Sequence, residues 1–151
     1  MRLTVALTIP MMTLMTTLVT AAPALAEGDA AKGEDLFKRC RSCHTITSPD
    51  GEAIVKGGRT GPNLYGLPGR APASVEGFRY SDGLHQLAAS EGGEVWTESL
   101  FEEYVADPTG FLRAHLGNNS VRSPMSYRLA SGAEDMWAYL VSVSPEAAPA
   151  E

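Results

Sequence analysis

The 151-residue sequence is poor in cysteine, in aromatic residues and in positive charge. It holds only two cysteines, which excludes a framework stapled by several disulfides. Twelve Lys and Arg residues stand against eighteen Asp and Glu, and this acidic balance disfavours a nucleic-acid-binding protein. No internal repeat and no long low-complexity tract occurs. With 44% hydrophobic and 20% charged residues, the composition is that of one compact folded domain.

The first 26 residues have the pattern of a secretory signal peptide. Arg2 supplies a positive start, residues 3–19 are apolar and rich in threonine, and residues 24–26 form an Ala-Leu-Ala cleavage site. An uncleaved membrane anchor is the alternative, because few charges interrupt this stretch. Cleavage is favoured, since an anchor would leave a very short tether. We expect export to a bacterial periplasm, no stable membrane insertion after cleavage, and a mature chain in which eleven basic residues face eighteen acidic ones, a net charge of −7.

We divide the mature chain into one domain over residues 27–144 and an Ala/Pro-rich tail over residues 145–151. Capping residues and apolar spacing predict five helices in the domain. The first helix runs from N-cap Asp29 through Phe37 into Cys40, and a weaker one covers residues 82–89. A third helix is capped by Thr97 and ends near Asp107 and Pro108, and a short fourth covers residues 109–116 and is closed by Gly117. The last helix is opened by a capping box at residues 131–134 and stopped by Pro145.

Residues 48–80 are dense in glycine and proline and show no sustained alternation of the kind that makes strands. A structureless stretch of this length argues against a compact domain unless something else organises it. We expect a large prosthetic group to do so. The predicted fold class is all-α with long Gly/Pro-rich loops.

Cys40, Cys43 and His44 form a Cys-x-x-Cys-His segment, which is typical of c-type haem attachment. Two thiols three positions apart at a helix end face one side and reach two vinyl groups on one porphyrin edge, and the imidazole that follows binds the iron. A thioredoxin-like redox pair would need a βαβ setting, and a zinc site would need a second cysteine pair. We predict one haem c per chain, covalently attached through Cys40 and Cys43, with His44 as an iron ligand.

Four side chains of the mature domain are candidates for the second axial iron ligand. Met136 lies on the apolar stripe of the last helix, where core packing is the simpler role. His85 and His115 fall in helical stretches with polar neighbours, where a surface position is the default. Met125 lies in an irregular segment beside Pro124. Position along the chain favours Met125 and leaves the other three open.

A series of further short motifs runs through residues 28–144 in a fixed order. They are residues 28–33 with Phe37, residues 60–66 with Gly69 and Arg70, residues 77–82, Trp96, Leu100 with Tyr104 and Pro108, Met125, and residues 138–140. In these motifs the sequence resembles class I c-type cytochromes, and among them the exported bacterial cytochrome c2 type. The long segments 48–57 and 114–122 resemble the large form of that type.

The resemblance implies the class I cytochrome c fold, in which the two terminal helices cross around the haem. It implies Met125 as the sixth iron ligand. It also implies that the Pro62 carbonyl accepts a hydrogen bond from the ring of His44, which fixes the tautomer of the imidazole. The crossing of the helices would be formed by Gly33, Phe37, Met136 and Tyr139.

The same resemblance implies polar contacts to the haem. Arg70, Tyr80 and Trp96 would hydrogen-bond a haem propionate. Tyr104 would reach the region of the Met125 sulfur. Each of these side chains has a plainer alternative as a capping charge or a core aromatic residue.

We therefore expect a soluble, monomeric one-electron carrier and not an enzyme, because two filled axial positions leave no site on the iron for a substrate. Its partners would be larger membrane or periplasmic redox proteins: a cytochrome bc complex, a reaction centre, a terminal oxidase or a dedicated dehydrogenase. The alternative is a peroxidase-like haem enzyme or a gas-binding sensor, which would need an open sixth position.

Only three lysines are present, Lys32, Lys38 and Lys56, although carriers of this family usually dock through lysines. Cations nevertheless cluster in the sequence, and we expect a basic rim around the haem edge on an acidic body. A scatter of solvated charges is the alternative. The cations of this rim would be Lys38, Arg39 and Arg41 beside the attachment segment, and Arg113, Arg122 and Arg128 around Met125.

Overall fold

The computed structural model describes residues 28–90 and 95–144. The predicted signal peptide, the tail and the helix-stopping Pro145 lie outside these residues. The described residues form five helices and a two-stranded sheet. In chain order the elements are α1 Ala30–Phe37, β1 Ile46–Thr47, β2 Ala53–Val55, α2 Asp82–Ala88, α3 Glu98–Ala106, α4 Pro108–Leu116 and α5 Ala133–Ser142.

Local capping explains where α1, α3 and α4 begin and where α4 ends. The Asp29 carboxylate accepts hydrogen bonds from the first free N–H groups of α1, and the Thr97 hydroxyl does the same for α3. Asp107 caps α4, with Pro108 as its first residue, and Gly117 ends it in a left-handed conformation at φ 59°. The predicted caps Asp29, Thr97 and Gly117 are confirmed. Asp107 and Pro108 were predicted only as the end of α3, so the cap of α4 is a finding of the structure, and α4 starts one residue earlier than predicted.

α5 begins at the predicted place, but the predicted capping box is wrong. Its N-cap is Gly132, at φ 80°, and no side chain caps the helix. Glycine is favoured there because the backbone is left-handed, and Leu36 Cδ1 would have to move from a Cβ that would lie 2.6 Å away. The first turn of α5 is tied to the start of α1 instead, since the backbone N–H of Asp29 donates to Asp135 Oδ1 at 2.7 Å.

The short hairpin of β1 and β2 departs from the expectation of no strands in the loop region. The two strands pair antiparallel, with Ile46 opposite Val55 and Thr47 opposite Ala53. Strands of two and three residues are too short to produce the alternation by which a strand is detected in sequence. The all-α fold class stands, because the helices form the frame of the described structure.

The crossing of α1 and α5 joins the two ends of the domain. A Cβ at Gly33 would overlap the Asp135 carbonyl and lie 2.7 Å from Tyr139 Cβ, so only glycine permits this approach. The rings of Phe37 and Tyr139 pack with centroids 5.7 Å apart. Met136 is buried beside them. The predicted crossing is thereby confirmed.

α3 packs against α5, one of the two crossing helices, and also against α4. The long loops before α2 and between α4 and α5 lie opposite this helical frame and enclose a cavity with it. No helix within residues 28–90 and 95–144 is both long enough and apolar enough to span a membrane.

Candidate cofactor site

A cavity of about 350 Å³ lies between the helical frame and the loops. This volume falls within the range of small-molecule and cofactor pockets. Its walls come from the turn that follows α1, from α2, α3 and α5, and from the loops that precede α2 and α5. All nine residues that the sequence singles out line it: Cys40, Cys43, His44, Pro62, Arg70, Tyr80, Trp96, Tyr104 and Met125.

The attachment segment is a tight turn that continues α1. The backbone N–H groups of Cys43 and His44 both donate to the Cys40 carbonyl at 3.0 Å. The loop that follows β2 lies against this turn, because Gly58 N donates to Arg41 O at 2.9 Å and Gly61 N donates to Cys43 O at 2.8 Å. The turn therefore places both sulfurs and the imidazole at one wall of the cavity.

The two thiols have different surroundings. Burial raises the pKa of Cys40 to about 11, with a further contribution from Cys43. Cys43 is exposed, and hydrogen bonds with Thr60 and Ser42 lower the pKa of its thiol. The two cysteines are not joined by a disulfide, so both thiols are free to form thioether bonds.

The ring of His44 is fixed by one hydrogen bond and by a missing side chain. Nδ1 lies 2.8 Å from the Pro62 carbonyl, which is the contact that the family resemblance implies. Nδ1 must therefore carry the proton, which leaves the lone pair of Nε2 for a metal. Burial lowers the pKa of His44, which favours the neutral ligating form, and the Pro62 hydrogen bond opposes this in part. A Cβ at Gly61 would lie within 2.7 Å of both ring nitrogens and of the carbon between them, so a side chain at this position would displace the ring.

Met125 lies in the loop before α5 and contributes to the same cavity. Its backbone N–H donates to Ser123 Oγ at 3.2 Å. The buried Tyr104 hydroxyl lies 3.0 Å from the same Oγ. Tyr104 thus reaches the Met125 segment through Ser123, and its predicted place near the Met125 sulfur stays a prediction.

The other candidates for the axial ligand have different environments. Met136 is only 2% exposed and belongs to the core, as predicted, although it also forms part of the cavity wall. His85 is exposed on α2 and packs edge-on against Tyr80. His115 Nε2 lies 3.2 Å from Glu103 Oε2. Neither of these two histidines lines the cavity.

One edge of the cavity is polar. Arg70 and Trp96 are brought together by backbone bonds, because Trp96 N donates to Arg70 O at 2.9 Å. The Arg70 guanidinium also donates to the Tyr65 carbonyl at 2.6 Å and to the Asn63 carbonyl at 3.1 Å, so part of its bonding capacity serves the loop. Burial lowers the pKa of Arg70 and raises the pKa of Tyr80.

Ser81 offers a test of whether a haem fits this cavity. Its Oγ is buried in the cavity wall and has no hydrogen-bond partner among the described residues. Such a group requires a partner, because an unsatisfied buried hydroxyl is costly. The rest of the lining is mainly apolar, as a porphyrin ring requires, and a propionate at the polar edge would satisfy Ser81 once its side chain rotates toward the cavity. The donor set fits haem.

Sequence reasoning missed several residues of the site. Ser81 directly follows a motif tyrosine at the N-cap of α2, and this position could have indicated it. Ser123 carries no sequence signal, because its role depends on Tyr104, 19 residues away. The remaining polar residues of the lining that were not predicted as site residues are Arg39, Ser42, Thr60, Arg79, Ser126 and Tyr127.

Comparison with known proteins identifies the family. No family model matches the chain. Cytochrome c-551 of Roseobacter denitrificans is 56% identical over 82% of this chain and 87% of its own length. Cytochrome c2 of Rhodobacter capsulatus is 50% identical over 83% of this chain and 90% of its own length. The chain is a class I c-type cytochrome of the cytochrome c2 type.

Solved structures support the assignment of this cytochrome. Ferric cytochrome c-550 from Paracoccus versutus superposes with a TM-score of 0.76 at 47% identity, over 79% of this chain and all of that one. Cytochrome c2 from Paracoccus denitrificans gives 0.77 at 42% identity, over 80% and 99%. The cytochrome therefore has the class I fold and is a single-haem electron carrier, with haem c attached through Cys40 and Cys43.

Proposed function

We propose that this cytochrome shuttles electrons one at a time between larger redox proteins of the periplasm, as a diffusible domain formed by residues 27–144 once residues 1–26 are removed. The observation that carries the proposal is the shared cavity of His44 and Met125, which offers the iron one nitrogen and one sulfur ligand. The haem supplies the ferrous–ferric couple. The protein supplies ligation, burial and a docking surface.

His44 and Met125 have complementary roles in this proposal. The Pro62 carbonyl holds the His44 ring in one orientation and makes it a better donor. Met125 provides a neutral thioether, which favours the ferrous state and raises the reduction potential. The apolar lining acts in the same direction, because it solvates the extra charge of ferric haem poorly.

The polar edge would hold the haem propionates. Tyr80, Ser81 and Trp96 offer hydroxyl and indole N–H donors there, and Arg70 offers the N–H groups that do not bond to its own loop. These contacts would orient the porphyrin. Tyr104 would act on the Met125 side, through Ser123.

We also propose that the protein is not an enzyme. A peroxidase or a gas sensor needs an open position on the iron. Met125 on the cavity wall supports a filled sixth position, so no observation favours that alternative.

The distribution of free cations supports docking near the attachment segment. Of the three cations predicted around Met125, Arg128 pairs with Asp107 and Arg113 bonds to a backbone carbonyl, which weakens the predicted rim there, whereas Arg122 is exposed and forms no ion pair within the described residues. On the attachment side, Lys38 pairs with Asp35. Besides Arg79 and Arg122, four exposed cations form no ion pair within the described residues, and these four lie on or beside the attachment turn. We call them the attachment-side cluster: Arg39, Arg41, Lys56 and Arg59.

An acidic surface on the partner would complement this cluster. Gly58 N bonds to Arg41 O, which brings the segment of Lys56 and Arg59 alongside the turn of Arg39 and Arg41. Steering by such a cluster allows fast and weak docking, which rapid turnover of a carrier requires. A cytochrome bc complex, a reaction centre, a terminal oxidase and a dedicated dehydrogenase all remain candidate partners.

The experiment that tests the proposal is a redox titration of the holoprotein, produced together with a haem maturation system. We expect one haem per chain and a single one-electron transition that reverses fully. Cys43→Ala should lose one of the two covalent links, which mass spectrometry after acid extraction would detect. Rapid peroxide turnover by the wild type, or a ferric iron that binds small ligands without resistance, would contradict the proposal.

A further inference from the structure

The first end of the Met125 segment, residues 123–128, is attached to the start of α4. The backbone N–H of Ser123 donates to Thr109 Oγ1 at 3.1 Å. Thr109 is the second residue of α4 and is half-buried. This bond joins two residues that are 14 positions apart, so it fixes the loop to a helix and not merely to itself.

The other end of the segment is attached to the same place. Arg128 donates to Asp107 Oδ1 at 2.8 Å. The next residue, Leu129, donates its N–H to the Val105 carbonyl at 2.8 Å and is buried. Both ends of the segment are thus bound to the turn between α3 and α4, which we call the α3–α4 corner and define as residues 105–109.

The corner itself is rigid. Pro108 fixes its own φ and is buried. The Asp107 carboxylate accepts from Gly110 N at 3.1 Å while it binds Arg128, so one side chain both caps α4 and holds the loop. A support of this kind fixes the position of whatever is attached to it.

Ser123 transmits the anchoring to Met125. Its Oγ accepts from Met125 N at 3.2 Å and is bonded to the buried Tyr104 hydroxyl at 3.0 Å. Because Thr109 holds the backbone of Ser123, the hydroxyl that binds Met125 cannot move freely. A continuous hydrogen-bonded path therefore connects α4 to the backbone of Met125.

We propose that the α3–α4 corner is a clamp that keeps Met125 at the cavity, with Thr109 and Asp107 as positioning residues for the sixth ligand. The inference rests on the proposed function, in which Met125 binds the iron. Replacement of Met125 by an external ligand requires the segment to lift from the cavity. Lifting breaks the bonds to the corner, so the clamp sets how rarely the sixth position opens.

Thr109→Val is the variant that tests the clamp, because it removes the hydroxyl and nearly preserves the shape. The probe is imidazole, titrated into the ferric holoprotein at fixed pH and ionic strength. Loss of one hydrogen bond in the closed state should tighten the apparent imidazole affinity by about two- to tenfold. Thr109→Ser retains the hydroxyl and should bind imidazole as the wild type does.

Arg128→Gln tests the second attachment point at a residue that is well exposed and tolerant of change. Because the ion pair is on the surface, we expect a smaller effect, at most about fivefold. The double variant with Thr109→Val should show the product of the two effects, since both bonds are lost when the segment lifts.

The near-infrared band of the ferric iron–thioether bond separates this inference from the proposed function. A wild type without the band would overturn Met125 ligation and the clamp with it. A wild type with the band, and equal imidazole affinity in wild type, Thr109→Val and Thr109→Ser, would overturn the clamp alone. A Thr109→Val protein with a lower urea midpoint and unchanged imidazole affinity would show a merely structural role and would also overturn it.

Discussion

His44 shows how single residues shape this site. The ring is hydrogen-bonded to the Pro62 carbonyl, and it packs closely against Gly61, which has no side chain to displace it. The sequence predicts Cys40, Cys43 and His44 because they are contiguous and their spacing has a chemical reason. Ser81 and Ser123 could not be predicted in this way, because their roles arise from contacts with distant parts of the chain.

We predict that Gly61→Ala displaces the His44 ring. A Cβ there would lie 2.6 Å from Nδ1 and 2.7 Å from Nε2, closer than any normal contact. The free energy of unfolding of the holoprotein should fall by about 1–3 kcal/mol, measured by urea denaturation, and the haem absorption spectrum should change.

Gly51→Ala is the control for Gly61→Ala. A Cβ at Gly51 meets nothing within 4 Å, although its φ of 89° makes alanine strained. This variant should lose some stability and keep the wild-type spectrum. A wild-type spectrum and stability in Gly61→Ala would show that the close approach to His44 has no importance.

At the scale of helices and strands, the sequence predicts a helix boundary when the residue that causes it belongs to the same helix end. Asp29, Thr97 and Gly117 were predicted as helix boundaries, because each acts on its own helix. The start of α5 was explained wrongly, because its N-cap is Gly132 in a left-handed conformation and no side chain caps the helix. The hairpin was missed because its strands are shorter than any periodic pattern.

We predict that Gly33→Ala weakens the crossing of α1 and α5. The added Cβ would overlap the Asp135 carbonyl, which is backbone and cannot rotate away. The helices must move apart, and the free energy of unfolding should fall by about 1–3 kcal/mol in urea. Because Gly33 and the Asp135 backbone that it contacts do not line the cavity, the haem spectrum should persist below the unfolding transition. Unchanged stability would contradict the packing seen at Gly33.

At the scale of the whole molecule, the family resemblance predicted the fold, but the sequence did not predict where the free charges lie. The Arg128–Asp107 pair joins residues 21 positions apart, so the sequence alone does not show that the charge of Arg128 is neutralised by Asp107. Charges that are paired contribute little to steering, and the unpaired attachment-side cluster remains. The chain is acidic as a whole, and four of the six exposed cations without an ion pair in the described residues lie in this cluster.

We predict that Arg41→Glu slows electron transfer to an acidic partner by about three- to tenfold at low ionic strength and flattens the salt dependence of the rate. Lys32→Glu is the matched control, because it changes the net charge equally but lies outside the cluster, where Lys32 is 3.5 Å from Asp29. Stopped-flow kinetics over a range of salt concentrations measures both. Equal slowing by the two variants would indicate an effect of net charge and would remove the case for a localised docking surface.

Near-infrared absorption of the ferric holoprotein tests most directly whether one cavity provides the iron with His44 and Met125. We predict the weak band of a ferric iron–thioether bond in the wild type and its loss in Met125→Ala, with covalent haem retained in both proteins. A wild type without this band, or a Met125→Ala variant that keeps it, would contradict the assignment of the sixth ligand.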